Sequence, residues 1–428
     1  MKGKQSFVRF IGSVLVTLLA LHLFLGAAWA QKEKVLYSFC PQRPCTDGVG
    51  PDAGVVLDKN GSLYGTTYYG GDSDAGVVFK VTPSGKETVL YSFCSMQNCA
   101  DGADPFAGVI FDGKGNLYGT TQWGGISNTD NCSNGCGVVF KITPSGKETV
   151  LYTFCSVQNC ADGAQPYAGL VFDKEGNLYG TTSAGGSGCS YQYCGHGTVF
   201  RVTPSGKETV LYSFCSQSAC TDGAIPWAGV IFDAKGNLYG TTFRGGDVSG
   251  SCTHACGVVF KLDTNGKETV LYNFCSEKDC ADGAEPYAGL VFDKKGNLYG
   301  TTNVGGAYSA GTVFEITPSG KQSVLYSFCS QGGTHCRDGA SPFAGLVFDK
   351  RGNLYGTTLG GGHLTYENWG TVFKLTPSGE ETVLYSFGSH VYDGWRPYGG
   401  LVFDEMGNLY GTTLIGGHQY GTVFKLTP

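Results

Sequence analysis

One phrase, Gly-Asn-Leu-Tyr-Gly-Thr-Thr, stands at residues 115–121 and occurs seven times along the chain, with Ser62 replacing Asn in the first copy. A second phrase, Val-Leu-Tyr-Ser-Phe or a one-residue variant of it, starts at Val35, Val89, Val150, Val210, Val270, Val324 and Val383, so the repeating unit is 54 to 61 residues long. A period of this size means that one supersecondary unit, unable to bury its apolar face alone, packs against copies of itself.

Each unit holds four short runs rich in Val, Phe, Tyr, Leu and Thr; in the second copy they read AGVIFD, NLYGTT, GVVFKIT and ETVLYTF. Such runs, bounded by turn residues, predict four strands. The joints FDGKGN and TPSGK have nearly fixed length and suit tight turns closed by a left-handed Gly. The strands lack a clean apolar–polar alternation, as sheets covered on both faces do. The fold expected is all-β: a seven-bladed β-propeller with four strands per blade. An open solenoid needs polar capping repeats, whereas the end copies here look like the middle ones. The chain starts its repeats with a lone KVLYSF and finishes with GTVFKLTP, short of one strand. The N-terminal strand is therefore expected to complete the C-terminal blade, leaving no truncated sheet edge.

Residues 1–30 stand apart from the repeats. Lys2, Lys4 and Arg9 precede an apolar run ending in Ala28-Trp29-Ala30, the pattern of a secretory signal peptide, with an uncleaved anchor as the rival. The division expected is a signal peptide over 1–30 and a single propeller domain over 31–428, secreted, periplasmic or at the cell surface, with no membrane span after cleavage. With 29 Lys+Arg against 35 Asp+Glu, nothing attracts nucleic acid.

The 18 cysteines fall into nine close pairs. Six recur at one place in the unit: Cys40 with Cys45, Cys94 with Cys99, Cys155 with Cys160, Cys215 with Cys220, Cys275 with Cys280 and Cys329 with Cys336. Three sit in longer loops: Cys132 with Cys136, Cys189 with Cys194 and Cys252 with Cys256. The seventh copy, SFGSHVYDG, lacks both members together, as bonded partners would. Zinc competes as an explanation, but the export signal favours disulfides.

The unit DGAxPxAGLVFDxxGNLYGTTxxGGxxxxGTVFKxTPSGKETVLYSF resembles the GloVer-type tandem repeat of exported bacterial proteins over residues 35–428. The resemblance implies a propeller-like surface or secreted protein and brings no reaction and no catalytic residue.

Variation is concentrated on one face. Between the Thr-Thr pair and the Gly opening the third strand, the seven loops hold 8, 15, 14, 14, 8, 11 and 7 residues. Long, variable loops on a rigid scaffold mark a binding surface. The repeated Asp of the D-x-x-G and D-G turns read as turn caps, since D-x-D-x-D-G is missing and calcium needs several oxygens. At the variable position of P-x-A-G stand Asp52, Phe106, Tyr167, Trp227, Tyr287, Phe343 and Tyr398. These rings read either as packing between blades or as stacking platforms near the channel. The candidate ligand-binding residues are Trp123, Trp227, Trp369, Trp395, Tyr167, Tyr287 and Tyr398. No catalytic residue, metal or cofactor is expected. The function expected is a monomeric, non-catalytic exported propeller that binds a ligand, a glycan among them, or a surface protein through its loop-bearing face. The alternatives are a polysaccharide-active hydrolase or lyase and a structural envelope protein.

Overall fold

The computed structural model describes residues 32–125, 132–187, 195–247, 256–332, 335–362 and 369–427. They form seven antiparallel four-stranded sheets, each joining consecutive strands in order, except that the sheet of Val402–Phe403, Leu409–Thr413 and Thr422–Thr427 is completed by Lys32–Ser38. The expected closure is present: Val35 pairs with Phe424 and Ser38 with Thr422. The segments entering the seven first strands meet around a single cavity, which makes these strands innermost.

The first strand is shorter than AGVIFD suggests. Only two residues pair in each blade, Ile110–Phe111 in the second. The reason is crowding at the axis: a Cβ on Gly108 would lie 2.9 Å from the carbonyl oxygen of Gly54 in the neighbouring blade. Here backbones from adjacent blades touch, and a regular strand cannot extend into that space.

From Asn116 on, every residue of the recurrent phrase has a task. In the second blade Asp112 Oδ1 accepts from the N–H groups of Lys114 at 2.8 Å and Asn116 at 2.9 Å, while Oδ2 accepts from Asn116 Nδ2 at 2.7 Å and the Tyr118 hydroxyl at 3.2 Å. Leu117 is buried in the core. A Cβ on Gly119 would stand 2.6 Å from Phe140 Cζ, so only Gly lets that ring lie flat on the second strand. The Thr120 hydroxyl donates to the Ala168 carbonyl of the next blade at 3.1 Å. Thr121 Oγ1 donates to the Trp123 carbonyl at 2.8 Å and accepts from Val138 N–H at 3.2 Å, fixing the start of the variable loop. The first Thr makes the same blade-to-blade bond in all seven copies, closing with Thr412 on Ala53 at 2.7 Å.

The apolar core of the described residues lies between blades, in seven clusters that each draw on two neighbours. At each interface the Phe ending one blade's outer strand meets the third-strand Phe of the next, edge to face, with centroids 4.9 to 5.2 Å apart; Phe39 on Phe79 closes the ring. These rings are fully buried, apart from Phe260, Phe274 and Phe387, which are nearly so.

A second repeated contact carries charge. Asp101, fully buried, accepts from the Tyr91 hydroxyl at 2.8 Å and from Ser95 N–H and Oγ at 2.9 Å. The carboxyl of Glu148, on the next blade's outer strand, faces it, and both Glu148 oxygens are buried without a hydrogen-bond partner. Burial first, and then the Asp101 charge, push the Glu148 carboxyl up to about 7. Glu87, Glu208 and Glu268 behave alike, and Glu381 and Glu33 reach about 8. Two copies vary this contact. Gln322 replaces the Glu and donates its amide to the Asp282 carbonyl at 3.2 Å. His390 lies 3.8 Å from Glu33 and 3.5 Å from Asp393.

Seven disulfides are formed as expected: Cys40–Cys45, Cys94–Cys99, Cys132–Cys136, Cys155–Cys160, Cys215–Cys220, Cys275–Cys280 and Cys329–Cys336. Cys256 is also disulfide-bonded, whereas Cys189, Cys194 and Cys252, like the segment expected to be a signal peptide, lie outside the described residues. Among the described residues no helix is long and apolar enough to cross a membrane.

Two outcomes are expected. Phe39→Ala should cost about 3–5 kcal/mol in urea unfolding, and deletion of residues 31–39 more, because a fully buried ring and then a whole paired strand are lost; an unchanged midpoint would refute closure by this strand. The raised Glu carboxyls bind protons more tightly in the folded ring than in the unfolded chain, so their contribution is whole below the ordinary value of 4.5 and is lost as pH climbs through 7 to 8. The Tm should therefore fall between about pH 5 and pH 8, and Glu148→Gln, which copies Gln322, should raise the Tm at pH 8 and flatten that fall. A pH-independent Tm in both proteins would show that these carboxyls do not strain the interface.

Candidate functional site at the channel mouth

The loop leaving each outer strand and the loop after each Thr-Thr pair lie on one face, pinned together by a short β-bridge such as Ala103 to Trp123. In the seventh blade the bridge extends to Gly394–Trp395 paired with Ile415–Gly416. From these pinned loops the P-x-A-G segments descend to the axis. The Pro is held by the preceding blade: a Cβ on Gly76 would stand 2.6 Å from Pro105 Cδ.

The residues following the prolines form a closed circuit of rings. Phe106 lies 5.1 Å from Tyr167, Tyr167 6.0 Å from Trp227, Trp227 4.6 Å from Tyr287, Tyr287 4.4 Å from Phe343 and Phe343 4.8 Å from Tyr398. A contact of 5.8 Å between Tyr398 and Phe106 completes it. All six rings are half-buried. With the Gly residues that follow them they line a cavity of about 380 Å³ at the mouth of the channel. The sequence left packing and platform open as readings, and the geometry combines them, since each ring touches its neighbours and also borders the cavity.

The circuit passes over the first blade, whose residue here is Asp52. This half-buried carboxylate lines the same cavity and has no hydrogen bond or ion pair among the described residues. Loss of hydration pushes its carboxyl up to about 7. It raises the Tyr398 phenol in turn, although burial is the larger cause there. A second layer supports the rings. Trp227 stacks on Phe243 at 4.3 Å with planes 5° apart, and the Arg244 guanidinium lies 5.2 Å from the Phe243 centroid. The Gln122 amide donates to the Tyr167 hydroxyl and accepts from the Tyr68 hydroxyl at 2.9 Å. The opposite end of the channel differs: a cavity of about 530 Å³ there is lined by Ile231, Leu290, Phe292, Phe348 and other residues with apolar side chains.

Of the candidate binding residues, Trp227, Tyr167, Tyr287 and Tyr398 are brought together at the mouth. Trp123 stands apart in a cavity of about 620 Å³ beside the Cys94–Cys99 and Cys132–Cys136 loops, with Asn98, Asp104 and Asn134. Trp369 and Trp395 stack on each other at 4.4 Å. Trp395 belongs to the seventh copy, which lacks a disulfide, and Trp369 to the sixth, where it covers Gly388 of the seventh: a Cβ on Gly388 would stand 2.2 Å from Trp369 Cδ1. Asp52, Phe243 and Gln122 were not among the candidates. Asp52 alone had a signal, as the only non-aromatic residue at a position otherwise aromatic.

A family model described as the Gloeobacter/Verrucomicrobia repeat matches residues 27–192, 126–337 and 333–428. No curated protein matches the chain in sequence. Among solved structures it is similar to PorZ, a bacterial surface component of the type-IX secretion system of Porphyromonas gingivalis, at 15% identity and a TM-score of 0.51, over 86% of this chain and 46% of that one. It is also similar to a Mycobacterium tuberculosis puromycin-hydrolyzing peptidase, at 10% identity and a TM-score of 0.51, over 91% of this chain and 54% of that one. The chain thus spans about half the length of these two proteins, and at such identity the likeness concerns the fold.

The stacked pair generates a test. Trp369→Ala is expected to cost about 3 kcal/mol in urea unfolding, because it uncovers Gly388 and removes one partner of a stack; a loss below about 0.5 kcal/mol would show that Trp369 is a surface platform and not part of the packing.

Proposed function

Because the chain belongs to the Gloeobacter/Verrucomicrobia repeat family, described by its repeat and not by a reaction, we propose that the protein is a binding module: a non-catalytic, exported propeller whose loop-bearing face takes up an extracellular ligand at the mouth of its central channel. The observation that carries this reading is the closed circuit of six aromatic rings around a cavity of about 380 Å³. Concave sites lined by aromatic side chains with a few polar groups are where proteins hold ligands, and half-buried rings offer sugars and other flat or apolar groups a surface with little entropy to lose. Export is supported by the signal-like segment and by the disulfides that stiffen the loops of this face.

Binding without turnover is favoured over glycoside hydrolysis by the composition of the mouth. Hydrolysis in most glycosidases uses two carboxyl groups about 5–10 Å apart. Asp52 is the single carboxylate among the residues that line this cavity. Tyr167, Trp227, Tyr287 and Tyr398 are the residues to contact the ligand, with Trp123 at the edge of the surface.

A glycan array probed with the mature protein, followed by tryptophan-fluorescence titration, tests the reading. A bound glycan should quench fluorescence, and Tyr287→Ala should weaken its binding at least about tenfold in protein that still unfolds cooperatively. Cleaved or eliminated products in mass spectra of the incubated glycans would replace this reading with an enzyme, and binding insensitive to every ring substitution would move the site elsewhere.

A further inference from the structure

Resting on that reading of the channel mouth, we infer that the group it takes in is an organic cation, a primary or quaternary ammonium, held among the aromatic faces and against the Asp52 carboxylate. Three observations converge on this. The first is the break in symmetry. Six copies place an aromatic ring at this position, and one places a carboxylate. Packing alone does not call for it, since Phe106 and Tyr398 make contact across the gap.

The second is that the carboxylate is uncompensated. Asp52 has no donor and no counter-ion among the described residues, yet stands in a partly dry, aromatic-lined cavity. Elsewhere among the described residues, half-buried or buried Asp carboxylates are met by donors, Asp112 by Lys114 N–H, Asn116 and Tyr118, Asp101 by Tyr91 and Ser95, with Asp104 beside Trp123 the one other left bare. A carboxylate left bare where water is restricted is costly unless a cation or a proton joins it. The cation Arg244 does not serve, for it belongs to the fourth blade, across the ring from the first, and lies over Phe243.

The third is the geometry of the rings. A closed six-membered circuit with neighbouring centroids 4.4 to 6.0 Å apart leaves a group on the axis within about 6 Å of several ring centroids, the reach of a cation–π contact. Aromatic rings and one carboxylate together select an ammonium over a neutral group of the same shape. A hard metal ion is a poor match, because calcium takes six to eight oxygens and this cavity offers a single carboxylate.

Choline and its neutral isostere 3,3-dimethyl-1-butanol separate charge from shape. At about pH 8 and fixed ionic strength, choline should perturb tryptophan fluorescence and bind at least about tenfold more tightly than the isostere. Asp52→Asn should remove that preference without lowering the Tm, since it takes away an unpaired charge. Equal affinities for the two probes, or an Asp52→Asn protein that keeps the preference, would overturn the inference. If neither probe binds while a neutral glycan does so in a manner sensitive to Tyr287→Ala, the cation inference falls and the binding reading stands. If no ligand responds to Tyr287→Ala or Asp52→Asn, both fall.

Discussion

The contact on which the remainder depends is the edge-to-face packing of one Phe per blade on the third-strand Phe of its neighbour. A four-stranded sheet of this size has two faces to cover and cannot cover either alone. The ring Phe140 lies on the second strand of its own blade, over Gly119, and receives the edge of Phe93 from the blade before. Seven such joints leave no free face. The Thr hydroxyl that bonds the next blade's Ala carbonyl then sets the depth at which each inner segment reaches the axis. The aromatic circuit follows from this, since a shift of one blade would part Tyr398 from Phe106.

The same interfaces hold an unfavourable element. A Glu on each outer strand, save one, lies against the buried Asp of the preceding D-G turn, and its carboxyl is raised by burial and by that charge. In the D-x-x-G turns, by contrast, hydrogen bonds from Asn116 and from backbone N–H groups outweigh a desolvation cost and hold Asp112 below its ordinary range. The two sets pull in opposite directions with pH, so the ring is most stable between their titration ranges. Gln322 shows that the fold tolerates a neutral residue at this position, and His390 sets a basic side chain beside Glu33.

Symmetry explains why the site is found where the copies differ. Seven like units build seven like interfaces, and a ligand without seven-fold symmetry is recognised by departures from the pattern. Asp52 on the axis, the long loops of the second to fourth blades, and the Trp369–Trp395 stack that stands in for a missing disulfide are such departures. The first faces the channel cavity, and the last joins two rings in a stack.

Much of this was legible in the chain itself. The period, the four strands per unit, the capping Asp of each hairpin, the local cysteine pairs and the closure by residues 32–38 all follow from residues close in sequence or repeated at fixed spacing, where turn chemistry and loop length act directly. The sequence also displayed every member of the aromatic set, and the odd residue in it. It did not show that these rings touch one another, that Glu148 faces Asp101 across a blade boundary, that inner strands shrink to two residues where backbones crowd, or that two tryptophans stack away from the mouth. Those contacts join residues of different units, and their distances are set by how the blades turn about a common axis. That turn is the sum of interface packing around the whole ring, so only the closed tertiary structure fixes it.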